Sequence, residues 1–160
     1  MITFIITISL LLDGLIPLYI SANSIFLPLL TLTSLFAIYP LYKKNDKSYL
    51  FTIITTGIIY DLLYTNLLFF HAIIFYILGK LTQYIHKNYS QNIINTIIYL
   101  IIMIVSYESL TSVILYIFKV VPISFSKVFY KITHSILINV IYITIIYSLI
   151  KTQHTKHIKN

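Results

Sequence analysis

The feature that most constrains the fold is a succession of long apolar stretches separated by short polar segments. Of the 160 residues, 59% are hydrophobic and only 9% are charged, and the mean hydropathy is +0.92. A soluble domain carries about 25% charged residues, whereas a helix that crosses a bilayer needs about 20 mostly apolar residues. We therefore predict an all-α membrane protein surrounded by a lipid bilayer.

The polar breaks divide the chain into six predicted transmembrane helices, which leave no room for a separate soluble domain. A cleaved signal peptide is the alternative for the first stretch. Against it, no Lys or Arg precedes the apolar run, and Asp13, Gly14 and Pro17 interrupt its core. The prediction is one domain over residues 1–160, with a basic tail at 151–160 and spans at about 2–20, 25–42, 49–64, 67–85, 93–118 and 128–150.

The lysines indicate how the spans are oriented. With the N-terminus in the cytoplasm, the inner side receives Lys43, Lys44, Lys47, Lys80, Lys87, Lys151, Lys156 and Lys159, and the outer side receives Lys119, Lys127 and Lys131. Cytoplasmic loops carry the excess of Lys and Arg in membrane proteins, so both termini are predicted to lie inside. Topology also explains the net charge of +7, and we predict no nucleic-acid partner.

The stretch 56–66 carries the most informative polar residues. Gly57, Tyr60, Asp61 and Tyr64 follow i, i+3, i+4 and i+7 spacing, so they share one stripe of a helix. A carboxylate at this depth costs at least ~2.5–3.5 kcal/mol on the insertion scale. Three roles remain open for it: capping a helix end, pairing with another helix, or forming a ligand or partner site.

A layer of polar residues is predicted in the outer half of the membrane. By the helical rise, Asp13, Asp61 and Glu108 lie roughly 17–22 Å from the inner ends of odd-numbered spans, and His71 and His134 lie at similar depth on even-numbered spans. Such groups normally face the interior and pair with one another. We expect Glu108 and His134 to touch, although Glu108 also stands among hydroxyl residues that can bond to their own helix.

Two prolines are predicted to shape the spans. Pro17 cannot donate a hydrogen bond to the carbonyl of Asp13, so a kink there is an alternative to a binding role for Asp13. Pro28 is predicted in the first turn of the second span, where the missing N–H is harmless.

Catalytic and metal-binding patterns are weak. Two membrane aspartates, one of them in Tyr60-Asp61, suggest an intramembrane aspartyl protease, in which two carboxylates share a proton at ~3 Å. Asp13 lacks a preceding Gly-x-Gly, and no Gly-x-Ser-x-Gly, P-loop or His-Glu-x-x-His motif occurs. The chain has no cysteine, and no predicted span carries two histidines at i, i+4 spacing. We therefore predict no catalytic residues, no metal and no cofactor.

The residues from Gly57 to Leu68, followed by an apolar span and Gly79-Lys80, resemble the signature of the rod-shape-determining protein MreD family, in its Gram-positive branch. That pattern is a Gly, a short apolar stretch, an Asp and a turn into the next helix. Looser similarity includes Pro28, Glu108 and Asn139. Many members have a Gly soon after the turn, where this chain has Phe69-Phe70-His71, and this departure puts close helix packing at the corner in doubt.

The resemblance implies a non-enzymatic scaffold of the bacterial cell-wall elongation complex in the cytoplasmic membrane, which helps maintain cell shape. It implies direct binding to an MreC-like single-span protein. Through the complex it implies links to a RodA-type glycosyltransferase, a class B transpeptidase and, indirectly, MreB. The fold would resemble the six-helix substrate-binding subunits of energy-coupling-factor transporters, and a vitamin-binding subunit is the alternative function. The predicted structural and partner-interface residues are Gly57, Tyr60, Asp61, Tyr64, Asp13, Pro17, Pro28, Glu108 and His134.

Overall fold

A computed structural model shows a bundle of α-helices. The structure describes residues 1–19, 28–42, 45–65, 67, 69–90, 92–120, 122 and 124–158, without the side chains of residue 19 and residues 152–158. No β-strand occurs within these ranges. The helices are α1 (Ile2–Tyr19), α2 (Leu30–Ala37), α3 (Asp46–Tyr64), α4 (Phe70–Asn88), α5 (Ile93–Ile117) and α6 (Phe125–Ile158), and a 3-10 turn, Tyr39–Tyr42, follows α2.

Helix positions follow the hydrophobic pattern closely. The bounds of α1, α3, α4 and α5 each lie within three residues of the predicted spans. The α6 helix differs, because it continues to Ile158 through most of the segment predicted as a tail. The predicted turn at 21–24 and the loop lysines Lys43 and Lys44 lie outside the described residues.

The second apolar stretch departs most from its prediction. Its helix, α2, has eight residues and is therefore only about 12 Å long. Every side chain from Leu30 to Ala37 is buried, since α2 packs against α1, α4 and α6. Pro28 does not lie in the first helical turn, because Leu29 is the N-cap residue and Pro28 precedes it. By contrast, α1 continues through Pro17 to Tyr19.

Four of the remaining helices form two antiparallel pairs beside this short helix. The α3 helix packs along α4, and α5 packs along α6. Apolar side chains from all six helices and the segment after α2 meet in one core, including Leu10, Phe36, Ile38, Ile53, Ile74, Leu78, Leu100, Ile104 and Ile143. The core therefore draws on residues from all the described helices.

The α3–α4 corner is packed closely, contrary to the doubt raised by Phe69-Phe70-His71. A Cβ atom built on Gly57 would lie 2.5 Å from Cα of Ala72 and 2.8 Å from its backbone nitrogen. Gly57 is therefore needed because α4 begins directly against α3. Phe69 itself has φ 65°, a left-handed conformation that favours glycine. The turn is therefore strained at Phe69, the residue directly before α4.

Apolar side chains also cover much of the outer surface. On α6, Leu137, Ile141, Ile145 and Leu149 are exposed at four-residue spacing, and α5 carries a similar stripe from Ile94 to Val105. Helices α5 (Ile93–Ile117) and the Phe125–Lys151 part of α6 are long and apolar enough to cross a membrane. A shorter apolar helix runs over Ile2–Leu18.

Adding a methyl group at Gly57 tests the close approach of α3 and α4. Gly57→Ala should destabilise the protein by about 1–3 kcal/mol, because the new Cβ meets the rigid backbone of Ala72. Gly79→Ala is the matched control, since its Cβ would meet side chains, those of Ile53 and Leu50, and no backbone atom. The measurement is the fraction of monodisperse protein left after heating in detergent. Equal losses for the two variants would contradict the proposed reason for Gly57.

Candidate functional site

Asp61 binds the N-terminus of α4. Its carboxylate accepts the backbone N–H of His71 at 2.9 and 3.1 Å and that of Ala72 at 3.4 Å. The N-cap residue Phe69 offers no side-chain hydrogen bond, so Asp61 of the preceding helix supplies it. The first N–H groups of a helix lack partners within it and carry partial positive charge, which a carboxylate satisfies.

The same carboxylate organises a chain of buried polar side chains across three helices. Nδ1 of His71 lies 2.7 Å from Oδ1 of Asp61, and Nε2 lies 3.0 Å from the hydroxyl of Tyr107 on α5. With its proton on Nδ1, the imidazole donates to Asp61 and accepts from Tyr107. The hydroxyl of Thr65 donates to Asp61 at 3.0 Å. Asp61, His71 and Tyr107 are all buried, so the network joins α3, α4 and α5. Thr65 belongs to the predicted turn Thr65-Asn66, of which Asn66 lies outside the described residues.

Aromatic rings enclose this network. The ring centroid of Tyr60 lies 4.6 Å from that of His71, and Phe70 and Phe75 lie 4.9 and 5.7 Å away. Tyr64 packs against Tyr60 at 4.9 Å. The predicted stripe of α3 therefore faces its neighbours in the bundle, and its phenols shield the Asp61–His71 pair.

Tyr60 lies near the three buried acids. Its phenol is within electrostatic range of Asp13, Glu108 and Asp61, although each acid has its own hydrogen-bond or ion-pair partners.

Asp13 performs on α2 the task that Asp61 performs on α4. Its two carboxylate oxygens accept the backbone N–H groups of Leu30 and Thr31, each at 2.8 Å. The N-cap residue Leu29 again provides no side-chain acceptor. Near this point the Tyr64 hydroxyl donates to the carbonyl of Leu10, so α1, α2 and α3 are tied together.

A second polar cluster, which sequence reasoning did not single out, joins α1, α2 and α6. The hydroxyls of Ser9, Ser34 and Tyr142 are hydrogen bonded to one another. Asn139 accepts from Thr33 at 2.7 Å, and its amide donates to Ser135. The available signal was the i, i+4, i+7 spacing of Ser135, Asn139 and Tyr142 within an apolar span.

The expected contact between Glu108 and His134 does not form. Glu108 is buried and lies 3.9 Å from Nζ of Lys131, while the His134 ring stacks on Tyr130 at 3.8 Å and its Nδ1 lies 2.8 Å from the Tyr130 carbonyl. Within the described ranges no hydrogen bond or ion pair links Glu108 to His134. Helix α6 thus turns its lysine, rather than its histidine, toward the acid.

A second clamp holds the opposite end of the α3–α4 pair. Asp46 forms an ion pair with Lys87 and accepts a hydrogen bond from Tyr39 at 2.8 Å. These two contacts hold the pKa of Asp46 below its ordinary value. The Gln83 amide donates to the backbone carbonyl of Asp46 at 3.2 Å. Helix α4 is therefore fixed at its start by Asp61 and near its end by Asp46.

In these contacts each of the two aspartates is engaged by a helix N-terminus and not by the other aspartate. Asp13 and Asp61 bind the N-termini of different helices, and their oxygens are engaged by backbone N–H groups. Among the described residues no group of three or more His, Asp or Glu side chains is arranged to hold a metal ion.

Comparison with models of protein families, with curated proteins and with solved structures gave no match to this chain.

Removing the Asp61 carboxylate should destabilise the α3–α4 corner. Asp61→Ala leaves the backbone N–H and the ring of His71 without their acceptor, and each buried unsatisfied group costs about 1–3 kcal/mol. Asp61→Asn keeps one carbonyl oxygen and should lose less. Asp46→Asn is the control and should change stability little, because it removes only a partly exposed ion pair, while the Gln83 bond to the Asp46 backbone remains and the Asn oxygen can still accept from Tyr39. Heating in detergent measures the order of stability of these variants. An Asp61→Ala protein as stable as the parent would contradict the prediction.

A double-mutant cycle tests which α6 residue is coupled to Glu108. Glu108→Gln and Lys131→Gln should be non-additive by about 0.5–1 kcal/mol, since the two side chains face each other. Glu108→Gln combined with His134→Ala should be additive, because His134 contacts its own helix. Coupling of Glu108 with His134 but not with Lys131 would show that the Glu108–Lys131 pairing is wrong.

Proposed function

We propose that the protein is a six-span protein of the bacterial cytoplasmic membrane, with both termini inside, and a non-enzymatic scaffold of the MreD type. In this role it binds a single-span MreC-like protein. Through the complex the protein is linked to a RodA-type glycosyltransferase, a class B transpeptidase and, indirectly, MreB. The fold is that of an all-α bundle resembling the substrate-binding subunits of energy-coupling-factor transporters.

The exposed apolar surface supports the membrane location. Only 33% of the most apolar part of α5 and 22% of that of α6 is buried inside the bundle, whereas a core helix of a soluble protein is mostly covered. Large exposed apolar patches on a protein surface mark contact with lipid or with partners. The stripes on α5 and α6 therefore face hydrocarbon in this proposal.

The short α2 helix fits a membrane interior because of Asp13. A helix that starts inside a bilayer exposes N–H groups that no water can satisfy. Such a start is tolerated where protein groups bind it, and Asp13 with Asn139 provides the acceptors for Leu29, Leu30 and Thr31. The second span is, in this proposal, a half-length helix followed by the 3-10 turn Tyr39–Tyr42.

The observation that carries the scaffold proposal is that the carboxylate of Asp61 is engaged by its neighbours at the α3–α4 corner. In the MreD-like signature this Asp stands where a catalytic acid or a ligand-binding residue would also be placed. Its oxygens are taken up by α4, His71 and Thr65, which favours a structural task. Gly57 serves the same corner by letting α4 approach.

The partner surface follows from what this corner exposes. Gly57 and Asp61 are buried, so they position the surface and do not contact the partner. Leu62 and Leu63, at the end of α3, are exposed and form an apolar outer face beside the corner. Without water to exclude, a transmembrane partner would bind there by packing.

Affinity purification of the tagged protein from its native membrane tests this function. We expect a single-span protein to co-purify, and to be lost from Asp61→Ala, because the corner that presents Leu62 and Leu63 loosens. Asp46→Asn is the control and should retain the partner. Recovery of no single-span protein with the parent would overturn the scaffold proposal. A retained small molecule without a partner would favour the vitamin-binding alternative.

A further inference from the structure

A small cavity lies between the end of α5 and the start of α6. Its volume is about 100 Å³. The polar part of its wall is formed by Lys127 and Lys131 on α6, Ser112 on α5 and Ser124 in the segment between the two helices. Ammonium and hydroxyl groups donate hydrogen bonds, and no carboxylate occurs among the described residues that line the cavity. The wall therefore suits an oxyanion and not a cation.

The two lysines leave a net positive charge at this cavity. They stand at i and i+4 on α6, so their side chains share one face of the helix, and like charges at that spacing repel each other. Nζ of Lys131 lies 3.9 Å from Oε2 of the buried Glu108. No ion pair among the described residues includes Lys127. One positive charge therefore remains without an acid beside it.

The chain contains no further acid that could balance Lys127. Its sequence has four carboxylate side chains in all. The aspartates of α1 and α3 bind helix N-termini, Asp46 pairs with Lys87, and Glu108 faces Lys131. The counter-charge of Lys127 therefore comes from outside the chain.

The size of the cavity limits its occupant. A water molecule takes up ~30 Å³ in the liquid, so a volume of 100 Å³ corresponds to about three waters. That space admits one compact group and excludes a partner helix of 10–12 Å diameter. The cavity therefore selects a single oxyanion group and not a whole lipid or peptide.

The position of the cavity indicates which oxyanion is at hand. Lys127 directly precedes the predicted sixth span, on the outer side in the proposed topology, and the neighbouring Phe125 and Phe129 are exposed. Aromatic residues are enriched at the level of the head groups. At this level phosphate is present both in lipid head groups and in solution, and lysine binds phosphate as a point charge.

From this arrangement we infer that the cavity between α5 and α6 binds one phosphate group, either free or as part of a head group. Lys127 supplies the uncompensated charge, and the hydroxyls of Ser112 and Ser124 supply hydrogen bonds. Glu108 weakens the binding, because it attracts Lys131. The inference depends on no partner and on no scaffold role.

Thermal protection by inorganic phosphate tests the site. The full-length protein in an uncharged detergent is heated at increasing phosphate concentration, with chloride added to keep the ionic strength constant. We expect protection that saturates. Lys127→Gln should raise the half-saturating concentration about fivefold, which corresponds to ~1 kcal/mol, whereas Lys127→Arg should retain binding. Lys119→Gln is the matched control, because it removes the same charge outside the lining of this cavity.

Glu108→Gln tests the sign of the electrostatic effect. Removing this carboxylate frees Lys131 for the ligand, so the half-saturating concentration should fall about fivefold. A purely structural role of Glu108 would lower stability without strengthening binding. If Glu108→Gln fails to fold, the comparison of Lys127→Gln with Lys119→Gln decides. Protection by chloride alone, or equal effects of these two lysine variants, would overturn the inference.

A lipid arm distinguishes the two sources of phosphate. Native mass spectrometry compares retention of phosphatidylglycerol and phosphatidylcholine with identical acyl chains. Retention of phosphatidylglycerol that is lost in Lys127→Gln and displaced by inorganic phosphate assigns the site to a head group. Phosphate protection without retained lipid assigns it to free phosphate. Neither effect would reject the site. Since the protein is assayed without partners, that result leaves the scaffold proposal to its own test.

Discussion

The rest of the structure depends on the capping of two buried helix starts by carboxylates from the helix before. Asp13 binds the first N–H groups of α2, and Asp61 binds those of α4. In a bilayer, an uncapped start would leave backbone donors without water, and a lone carboxylate would be equally costly. The carboxylate satisfies the N–H groups, and the N–H groups stabilise the buried carboxylate. This reciprocity explains why acids persist within two of the most apolar stretches of the chain.

The two carboxylate-capped helix starts determine how consecutive helices pack in the bundle. Because α2 and α4 start deep in the structure, the chain must return close to the helix it has just left. Gly57 permits this at the second corner, where α4 begins against the backbone of α3. The corner is then surrounded by Tyr60, Phe70 and Phe75 and extended through His71 to Tyr107 on α5. In the proposed scaffold role, this corner would hold the partner surface in place.

Prediction from sequence succeeded where the local pattern carries the information and failed where an approach between helices decides. The bounds of α3 and α5 follow from hydrophobicity and from capping by Asn45 and Asn92. The second span was predicted at full length because residues 25–42 are mostly apolar, whereas α2 ends at Ala37 and the chain continues as a 3-10 turn that contains Pro40. Likewise, depth along a span placed Glu108 level with His134, but the rotation of α6 turned Lys131 toward the acid.

The sequence by itself determined the all-helical class, the position of most helices and the importance of Gly57 and Asp61, because hydrophobic runs, helical spacing and the cost of a buried acid act locally. It left three roles open for Asp61. Only the tertiary structure supplied its contacts: Asp61 binds the N-terminus of the next helix, α4, and pairs with His71 on it. The physical reason is that an acceptor finds its donor through the path of the intervening turn, which the hydrophobic pattern does not specify.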